Sequence, residues 1–334
     1  IDAFNNSSLI VNGTATGDLK YWKYLGTTNW YLMSSPVEGE IYNDAYVNAN
    51  SIASGTGSNR GIATYLTYND SWAYMETGDD DATFSSGTGY AMKRSATGNV
   101  IFEGTIKTDN KSVSLVTSGQ RFRLIGNPYS SSISSKDILE RSSSALDTET
   151  IWIWDQSANS GAGDYLTKVA GVDFKIAPSQ GFFVQADTDG GDVLMESTDR
   201  VHASGTFRRT VVRPEIYLNL SDGSTSRKAE IYYIEGTTTG FDNGYDGPMF
   251  GGVANEFAIY SHSVSNGSGR DLAVQSLPTN NYENMVIPVG INAESGTITI
   301  DASTNNFPEG VNIYLEDKED DSFTLLDANA NFST

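Results

Sequence analysis

The chain has 334 residues, a formal net charge of −21 and no cysteine. The lack of cysteine excludes disulfides, thiolate nucleophiles and cysteine-based zinc sites. The acidic balance argues against nucleic acid and anionic membranes, because both are bound through Lys and Arg. No stretch approaches the roughly 20 apolar residues of a membrane span, so we predict a protein without membrane insertion.

The N-terminal stretch, residues 1–19, contains the segment SLIVNGTATGD. It is typical of the last turn of a β-repeat, and we expect it to be the end of a preceding repeat or a linker. Composition supports a folded all-β protein, since Tyr, Phe, Thr, Val and Ile are plentiful and no long stretch has amphipathic helical spacing. The combination of acidity, no cysteine and many Asn, Ser, Thr and Gly residues favours an extracellular bacterial protein.

Residues 20–205 contain an internal repeat. Two pairs of similar segments define it: NWYLMSSPV with RFRLIGNPY, and GTGYAMK with SQGFFVQ. Pro36 and Gly89 recur as Pro128 and Gly181, so both pairs are offset by 92 positions. Gly98 matches Gly190 at the same offset. We therefore predict a duplicated β-domain built from two related units of roughly 90 residues.

The segments YLTYND and IWIWDQ align within this repeat after a gap, with Leu66 opposite Trp152 and Tyr68 opposite Trp154. Alternation along a strand places Trp152 and Trp154 on one face. Two indoles on one face suit the stacking of a sugar ring, since an aromatic face covers the apolar face of a pyranose. They also suit a buried core. The apolar residues at the matching positions favour the core.

Residues 206–334 form the third predicted segment and hold 18 acidic and 7 basic residues. Seven short strands separated by Gly, Asn, Asp and Ser indicate a β-sandwich, which we expect to be truncated at its C-terminus. The strand segments are PEIYLNL, KAEIYYIE, FAIYS, LAVQSL, NMVIPVGI, GTITI and VNIYLED.

Candidate catalytic residues are few. The only histidines are His202 and His262, and each lies in a loop or linker segment. Nucleophilic catalysis by Ser or Thr usually needs a histidine base, and zinc needs three or four protein ligands. Carboxylate pairs for glycoside cleavage cannot be recognised by counting acidic residues. We predict no enzymatic activity for this segment.

Calcium is the cofactor that the acidic loops suggest. The segment GFDNGYDG supplies Asp242, Asn243 and Asp246, and a second set comes from DTDGGD: Asp187, Asp189 and Asp192. Hard cations need converging oxygen ligands and glycines that let the chain bend around the ion. The same residues also form ordinary turns, and neither segment matches an EF-hand loop.

The order of the segments WYLMSSPV, GTGYAMK, LIGNPYSSSI, IWIWDQ, APSQGFFV, GFDNGYDG, LAVQSLP, VIPVGI and VNIYLED resembles the C-terminal region of surface and secreted proteins that gliding bacteria export by type IX secretion. The resemblance covers nearly the whole chain. It implies an extracellular or cell-surface location, and contact with the secretion machinery through a sorting domain that would follow this region. It implies no catalytic residues.

The sequence thus predicts a non-catalytic surface module for adhesion or polysaccharide binding, or a stalk before a sorting signal. The alternative is an accessory module of a secreted polysaccharide-degrading enzyme or peptidase whose catalytic domain lies upstream. The expected partner is a polysaccharide or a cell-surface glycan. Candidate sugar-binding residues are aromatic side chains beside carboxylates: Trp72 with Asp70, Tyr245 beside Asp246, and Trp152 with Trp154.

Overall fold

The chain folds as an all-β protein in two compact units. The computed structural model describes residues 8–79, 82–202, 213–267, 269–280, 284–294, 296–319, 321–326 and 332–333. The first unit ends at Arg208 and the second begins at Arg209. We predicted this boundary between residues 205 and 206. All of these positions fall within residues 203–212, outside the described residues.

The first unit is built from short strands in two halves of the chain. The first half contains β1 (Asp18–Leu25), β2 (Tyr31–Met33), β3 (Ile41–Tyr42), α1 (Asp44–Ala49), β4 (Asn59–Leu66), β5 (Ser71–Glu76), β6 (Ala82–Thr83), β7 (Tyr90–Met92) and β8 (Gly98–Thr105). The second half contains β9 (Lys111–Leu115), β10 (Phe122–Gly126), β11 (Ser132–Ser134), α2 (Ser135–Arg141), β12 (Thr150–Asp155), α3 (Ala158–Gly161), β13 (Asp164–Val169), β14 (Lys175–Ile176), β15 (Gly181–Gln185), β16 (Gly191–Met195) and β17 (Arg200–Val201).

The two halves pair their strands in the same order. One four-stranded sheet runs β2-β7-β4-β5 and the other runs β10-β15-β12-β13, and β1 pairs with β8 as β9 pairs with β16. Tyr31 lies opposite Met92, and Arg123 lies opposite Val184, so this register repeats with the predicted offset of 92 in both strands. A duplicated domain would produce such a repeated pairing order. The duplication itself stays a prediction.

The alignment of the tryptophans within the repeat was wrong. Trp152 lies opposite Phe183, whereas Ala63 lies opposite Ala91, and Ala91 and Phe183 are 92 positions apart. The counterpart of Trp152 is therefore Ala63 and not Leu66, and by the same register Tyr65, not Tyr68, corresponds to Trp154. The turn after β4 is shorter than that after β12, and β4 has a register shift between Asn59 and Ala63, which hid the match.

The match of Gly98 with Gly190 was also displaced by one residue. Gly98 begins β8 opposite Leu25 with φ +140°, and Gly191 begins β16 opposite Leu115 with φ +137°. Glycine tolerates these positive φ angles, which other residues avoid. Gly191 is therefore the structural counterpart of Gly98.

Each half of the first unit has its own hydrophobic core. The first core includes Met33, Ile62, Phe84, Met92 and Phe102. The second core includes Ile125, Ile133, Ile151, Phe182 and Val184. Alternation sends the remaining residues of the four-stranded sheets to the opposite face. Those faces pack against each other through rings that we call the aromatic interface: Tyr65, Trp72, Trp154, Tyr165 and Phe183.

The N-terminal segment from residue 8 is bonded to the first unit. The Leu9 amide donates to the Ser130 carbonyl at 2.8 Å, and the Ser130 hydroxyl donates to the Leu9 carbonyl at 3.0 Å. The Arg200 guanidinium donates to the Val11 carbonyl at 2.9 Å. These bonds join residues 9–11 to the second half. Residues 1–7 of the predicted 1–19 segment lie outside the described residues.

The second unit contains one large, mainly antiparallel sheet and a hairpin. Its strands are β18 (Glu215–Ser221), β19 (Ser226–Tyr233), β20 (Gly247–Pro248), β21 (Ala258–Ser261), β22 (Leu272–Leu277), β23 (Val289–Asn292), β24 (Thr299–Asn305), β25 (Tyr314–Asp317), β26 (Ser322–Leu325) and β27 (Phe332–Ser333).

The large sheet of the second unit has the order β23-β21-β22-β19-β18-β24-β27, with β20 also on β22. Strand β21 packs against β18 and β19, so the sheet folds over a core that includes Leu218, Ile231, Ile259 and Ile300. This arrangement agrees with the predicted β-sandwich. Strands β25 and β26 pair only with each other among the described residues. Over the same part of the chain, we find no helix with the length and apolar character of a membrane span.

Candidate functional site

The segment GFDNGYDG belongs to a tight loop between β19 and β20, which we call the Asp242 loop and define as residues 235–246. Its entrance is fixed where the Ile234 amide donates to the Leu277 carbonyl at 2.9 Å. Gly236 and Gly244 have φ angles of +91° and +83°. These left-handed conformations favour glycine, so both glycines permit the chain to reverse direction here.

Asp242 closes the first part of the Asp242 loop. Its Oδ2 accepts a hydrogen bond from the Thr238 amide at 2.5 Å, and its Oδ1 accepts from the Thr238 hydroxyl at 3.1 Å. The Asp242 carbonyl accepts from the amides of Tyr245 and Asp246 at 3.0 and 2.8 Å. The side chain and the main chain of Asp242 therefore hold opposite ends of one turn.

Asp246 anchors the Asp242 loop to the sheet. It is fully buried, and its two carboxylate oxygens accept from the Asp242 amide at 2.7 Å and the Ser276 amide at 2.6 Å. Burial raises the pKa of Asp246 to about 6, because the loss of hydration outweighs the opposing effect of these two hydrogen bonds. The nearby Asp242 carboxylate raises this pKa further. Asp246 is thus an internal anchor.

The aromatic residues of the Asp242 loop point outward. Phe241 is 38% exposed and Tyr245 is 39% exposed. The Tyr245 carbonyl accepts from the Ser276 hydroxyl at 2.8 Å, which fixes the main chain beneath this ring. The Arg270 guanidinium lies over the Phe241 ring, 5.3 Å from its centroid. Two rings therefore stand at the surface of a loop that is held from within.

A surface cavity of about 590 Å³ lies along the same loop. Its lining is mostly hydroxyl and amide groups, from residues 235–239 and 278–280. Thr238 lines the cavity and also bonds to Asp242, so the cavity wall and the loop are one hydrogen-bonded structure. Glu235 is the only carboxylate among the eight lining residues. The lining suits a polar, uncharged ligand.

Several of the predicted calcium ligands accept hydrogen bonds from the chain. In the first set, the carboxylates of Asp242 and Asp246 accept four hydrogen bonds from the chain, and Asn243 is exposed beside them. The described residues contain no group of three or more His, Cys, Asp or Glu residues arranged for a metal. Calcium binding at the Asp242 loop stays a prediction.

The DTDGGD segment also has local partners for its acids. The Asp187 Oδ1 accepts from the Asp189 amide at 3.1 Å, which is an ordinary Asx turn. Asp192 sits on β16, where its oxygens accept from the hydroxyls of Ser114 and Ser112 at 2.7 and 2.8 Å. These bonds lower the pKa of Asp192. The segment therefore forms a turn and a cross-strand contact, and calcium binding here stays a prediction.

Trp72 and Asp70 lie in the first unit and take part in its internal packing. The Trp72 ring is half-buried and contacts Phe183 at a centroid distance of 6.3 Å. The Asp70 carboxylate accepts from the Tyr65 hydroxyl at 2.9 Å and from the Gln120 amide at 2.9 Å. Both residues therefore connect the two halves, and the structure offers little free surface for a sugar between them.

Trp152 and Trp154 also belong to the first unit. Trp152 is 1% exposed and packs edge to face on Phe122, 5.4 Å between centroids. This burial removes Trp152 from any sugar-binding surface and agrees with the favoured core interpretation. Trp154 is half-buried, and its indole Nε1 donates to the Trp30 carbonyl at 2.9 Å. Its ring is therefore fixed in the aromatic interface.

Neither histidine is among the residues that line the cavity beside the Asp242 loop. His202 Nδ1 is 3.1 Å from the Ser8 hydroxyl, and His262 Nε2 is 2.8 Å from the Asp271 carboxylate. Among the described residues, neither histidine bonds to both a hydroxyl and a carboxylate through its two ring nitrogens. The described contacts thus provide no triad.

Sequence reasoning selected Tyr245 but missed Phe241, Thr238 and the cavity wall. The signal for Phe241 was present, because this aromatic residue stands between Gly240 and Asp242 in the same segment. Thr238 had no signal, since threonine is common in turns and strands alike. Its role depends on a hydrogen bond to Asp242 that only the folded loop shows.

Comparison with known proteins gives a family without a described activity. The whole chain, residues 1–334, matches the model of the family called Domain of unknown function (DUF8693). The chain belongs to DUF8693. No curated protein and no solved structure matches it. For this DUF8693 chain, the geometry of the Asp242 loop is the main guide to function.

Proposed function

We propose that this DUF8693 chain is a non-catalytic extracellular module that binds polysaccharide through the Asp242 loop. The observation that carries the proposal is the division of roles within the loop. Asp242 and Asp246 turn inward and hold the main chain, while Tyr245 stands 39% exposed. A ring on a rigid support can cover a sugar face without a large cost for ordering the loop.

The cavity beside the Asp242 loop supports binding without hydrolysis. Hydroxyl and amide groups such as those of Thr238, Thr239 and Asn280 can exchange hydrogen bonds with sugar hydroxyls. Glycoside hydrolysis generally needs two carboxyl groups that flank the bond to be cleaved. Glu235 is the only one in the lining. These features favour a binding module over a hydrolase.

The extracellular location rests on the composition and on the resemblance to type IX-secreted surface proteins. The net charge of −21 and the lack of cysteine suit a soluble surface segment that folds without disulfides. Adhesion follows if the polysaccharide belongs to another cell or to a surface. If the polysaccharide is instead the substrate of an attached enzyme, the chain is an accessory module of that enzyme.

The test is affinity electrophoresis of the chain through gels that contain plant, algal or microbial polysaccharides. We expect one polysaccharide class to retard the wild-type chain and to retard Tyr245→Ala much less. Tyr68→Ala is the matched control, because Tyr68 is 64% exposed and lies in the first unit. The proposal fails if no polysaccharide retards the chain, or if Tyr245→Ala and the control migrate alike.

A further inference from the structure

The hairpin of β25 and β26 carries an exposed apolar face. Tyr314 is 55% exposed, Phe323 is 66% exposed and Leu325 is 38% exposed. Tyr314 lies directly opposite Leu325, and Phe323 lies opposite Glu316. Side chains that face each other across a pair of strands point to the same side. The three apolar residues therefore form one continuous surface, which we call the hairpin face.

The polarity of β26 is reversed relative to an ordinary surface strand. Ser322 and Thr324 are the half-buried residues of β26, whereas Phe323 and Leu325 are exposed. A strand on the surface of a soluble unit normally turns its apolar residues inward and its polar residues outward. The pairing is continuous from Tyr314–Leu325 to Asp317–Ser322, so the apolar residues stay on one side along the whole hairpin. The pattern indicates that another surface covers the hairpin face.

A cavity at the base of the hairpin extends the hairpin face. It has a volume of about 320 Å³, and its lining includes Phe307, Pro308, Val311, Ile313 and Leu325. Leu325 belongs to both the cavity and the hairpin face. A cavity of this kind can accept one apolar side chain, as in the central pocket of many protein interfaces.

The segment that contains the hairpin is acidic, and we call its acidic residues the acidic rim. Within residues 309–321 the described acidic residues are Glu309, Glu316, Asp317, Glu319 and Asp321, against the single basic residue Lys318. Asp317 pairs with the half-buried Ser322 and so lies on the side opposite the hairpin face. Glu316 lies on the hairpin face itself, opposite Phe323. Such a rim attracts a partner with the opposite charge and repels one with the same charge. A second copy would bring the same acidic rim and a further net charge of −21.

We propose that the hairpin face is a docking site for a protein surface with Lys or Arg residues around an apolar side chain. The apolar side chain enters the cavity beside Leu325, and the basic residues meet the acidic rim. This site uses residues different from those of the Asp242 loop, so it does not depend on polysaccharide binding. An anionic membrane or a nucleic acid does not fit, since the rim would repel either.

The test uses a short fluorescent peptide of alternating lysine and leucine, and a second peptide in which glutamate replaces each lysine. Binding to the full chain is measured by fluorescence anisotropy at about 0.15 M salt. We expect the lysine peptide to bind and the glutamate peptide not to bind. Phe323→Ser should weaken binding of the lysine peptide by about tenfold, as expected for an interface anchor.

Two matched controls distinguish binding at the hairpin face from the effects of losing an exposed ring or changing the net charge. Tyr68→Ser removes an equally exposed ring from the first unit and should leave peptide binding unchanged. Glu316→Lys should weaken binding more than Asp18→Lys, which changes the net charge equally at an exposed position of β1. Unchanged thermal unfolding of Phe323→Ser shows that the variant remains folded.

Three results would overturn the proposal. The first is no binding of the lysine peptide to the folded wild-type chain. The second is an equal loss of binding in Phe323→Ser and Tyr68→Ser. The third is a wild-type chain that dimerises in sedimentation experiments and is monomeric as Phe323→Ser, because the hairpin face would then bind a second copy.

Discussion

The aromatic interface of the first unit and the Asp242 loop of the second unit use aromatic residues and aspartates in opposite ways. In the aromatic interface, the rings of Tyr65 and Phe183 meet at a centroid distance of 4.9 Å, and Asp70 bonds to the Tyr65 hydroxyl. In the Asp242 loop, the buried carboxylate is Asp246 and the ring of Tyr245 is exposed. The carboxylate therefore holds the fold in both places, and of the two only the Asp242 loop leaves the neighbouring ring exposed.

The two halves of the first unit add a second contrast. Trp152 and Phe183 in the second half correspond to Ala63 and Ala91 in the first half. The second half thus supplies large side chains where the first half supplies small ones. Large and small residues that alternate across facing positions fill an interface without voids. Trp152 and Phe183 are both 1% exposed, so the large residues at these positions lie inside the first unit.

Replacement of Trp152 should have the largest effect on the first unit. Trp152→Ala leaves a large cavity at a 1% exposed position and should lower the free energy of unfolding by about 3–5 kcal/mol. Urea denaturation followed by circular dichroism measures this change. Tyr68→Ala, at a 64% exposed position, should change it by less than about 0.5 kcal/mol. Similar costs for the two variants would contradict the burial of Trp152.

The stability of the second unit should depend on pH through Asp246. Asp246 has a pKa of about 6 in the folded chain, above the ordinary value of 3.8. The folded chain therefore holds this proton more tightly than the unfolded chain. The stabilising contribution is fully present below about pH 4 and is lost as the pH rises through about 6. The loss should be about 2–3 kcal/mol.

Urea denaturation of the wild-type chain and of Asp246→Asn between pH 4 and pH 7 measures this dependence. Asparagine does not ionise, so the variant should lack the loss between these pH values. The difference between the two profiles isolates Asp246 from carboxylates such as Asp109, whose pKa is lowered by its hydrogen bond with Lys107. Parallel profiles would show that Asp246 is not the titrating group.

The Tyr65 hydroxyl should make a smaller contribution to the aromatic interface. Tyr65→Phe removes the donor to Asp70 but keeps the ring against Phe183. We expect a loss of about 1 kcal/mol in the free energy of unfolding, as for a typical hydrogen bond. Tyr68→Phe is the control, and urea denaturation is the measurement. An unchanged stability in Tyr65→Phe would show that Asp70 does not depend on this donor.

Removal of calcium should have the smallest effect. The carboxylates of Asp242 and Asp246 already accept hydrogen bonds from the chain, so the chain itself holds the loop in shape. We expect a chelator to change the melting temperature by less than about 1 °C. A clear fall in melting temperature, reversed by added calcium, would show that an ion replaces some of these hydrogen bonds.

Many strand positions could be anticipated from the sequence, because alternation and turn residues are local signals. The register was harder to predict. Trp152 was aligned with Leu66 and not with Ala63, since different turn lengths and the irregularity in β4 shift the match. Gly98 was aligned with Gly190 and not with Gly191, again because of a shift in register.

The candidate site was only partly visible in the sequence. GFDNGYDG identified the loop and Tyr245, but not the direction in which each side chain points. That direction depends on Ser276, whose amide donates to Asp246 from a strand 30 residues away. Long-range partners of this kind leave no local pattern. The same limit applies to Trp154, whose indole donates to the Trp30 carbonyl.

The most direct test compares Tyr245→Ala with Trp154→Ala, in both urea denaturation and affinity electrophoresis with the polysaccharide that retards the wild-type chain. We predict that Tyr245→Ala loses retardation and keeps its stability, whereas Trp154→Ala loses stability and, while folded, keeps its retardation. Loss of retardation in folded Trp154→Ala with full retardation in Tyr245→Ala would contradict the account, because the sugar-binding surface would then lie in the first unit.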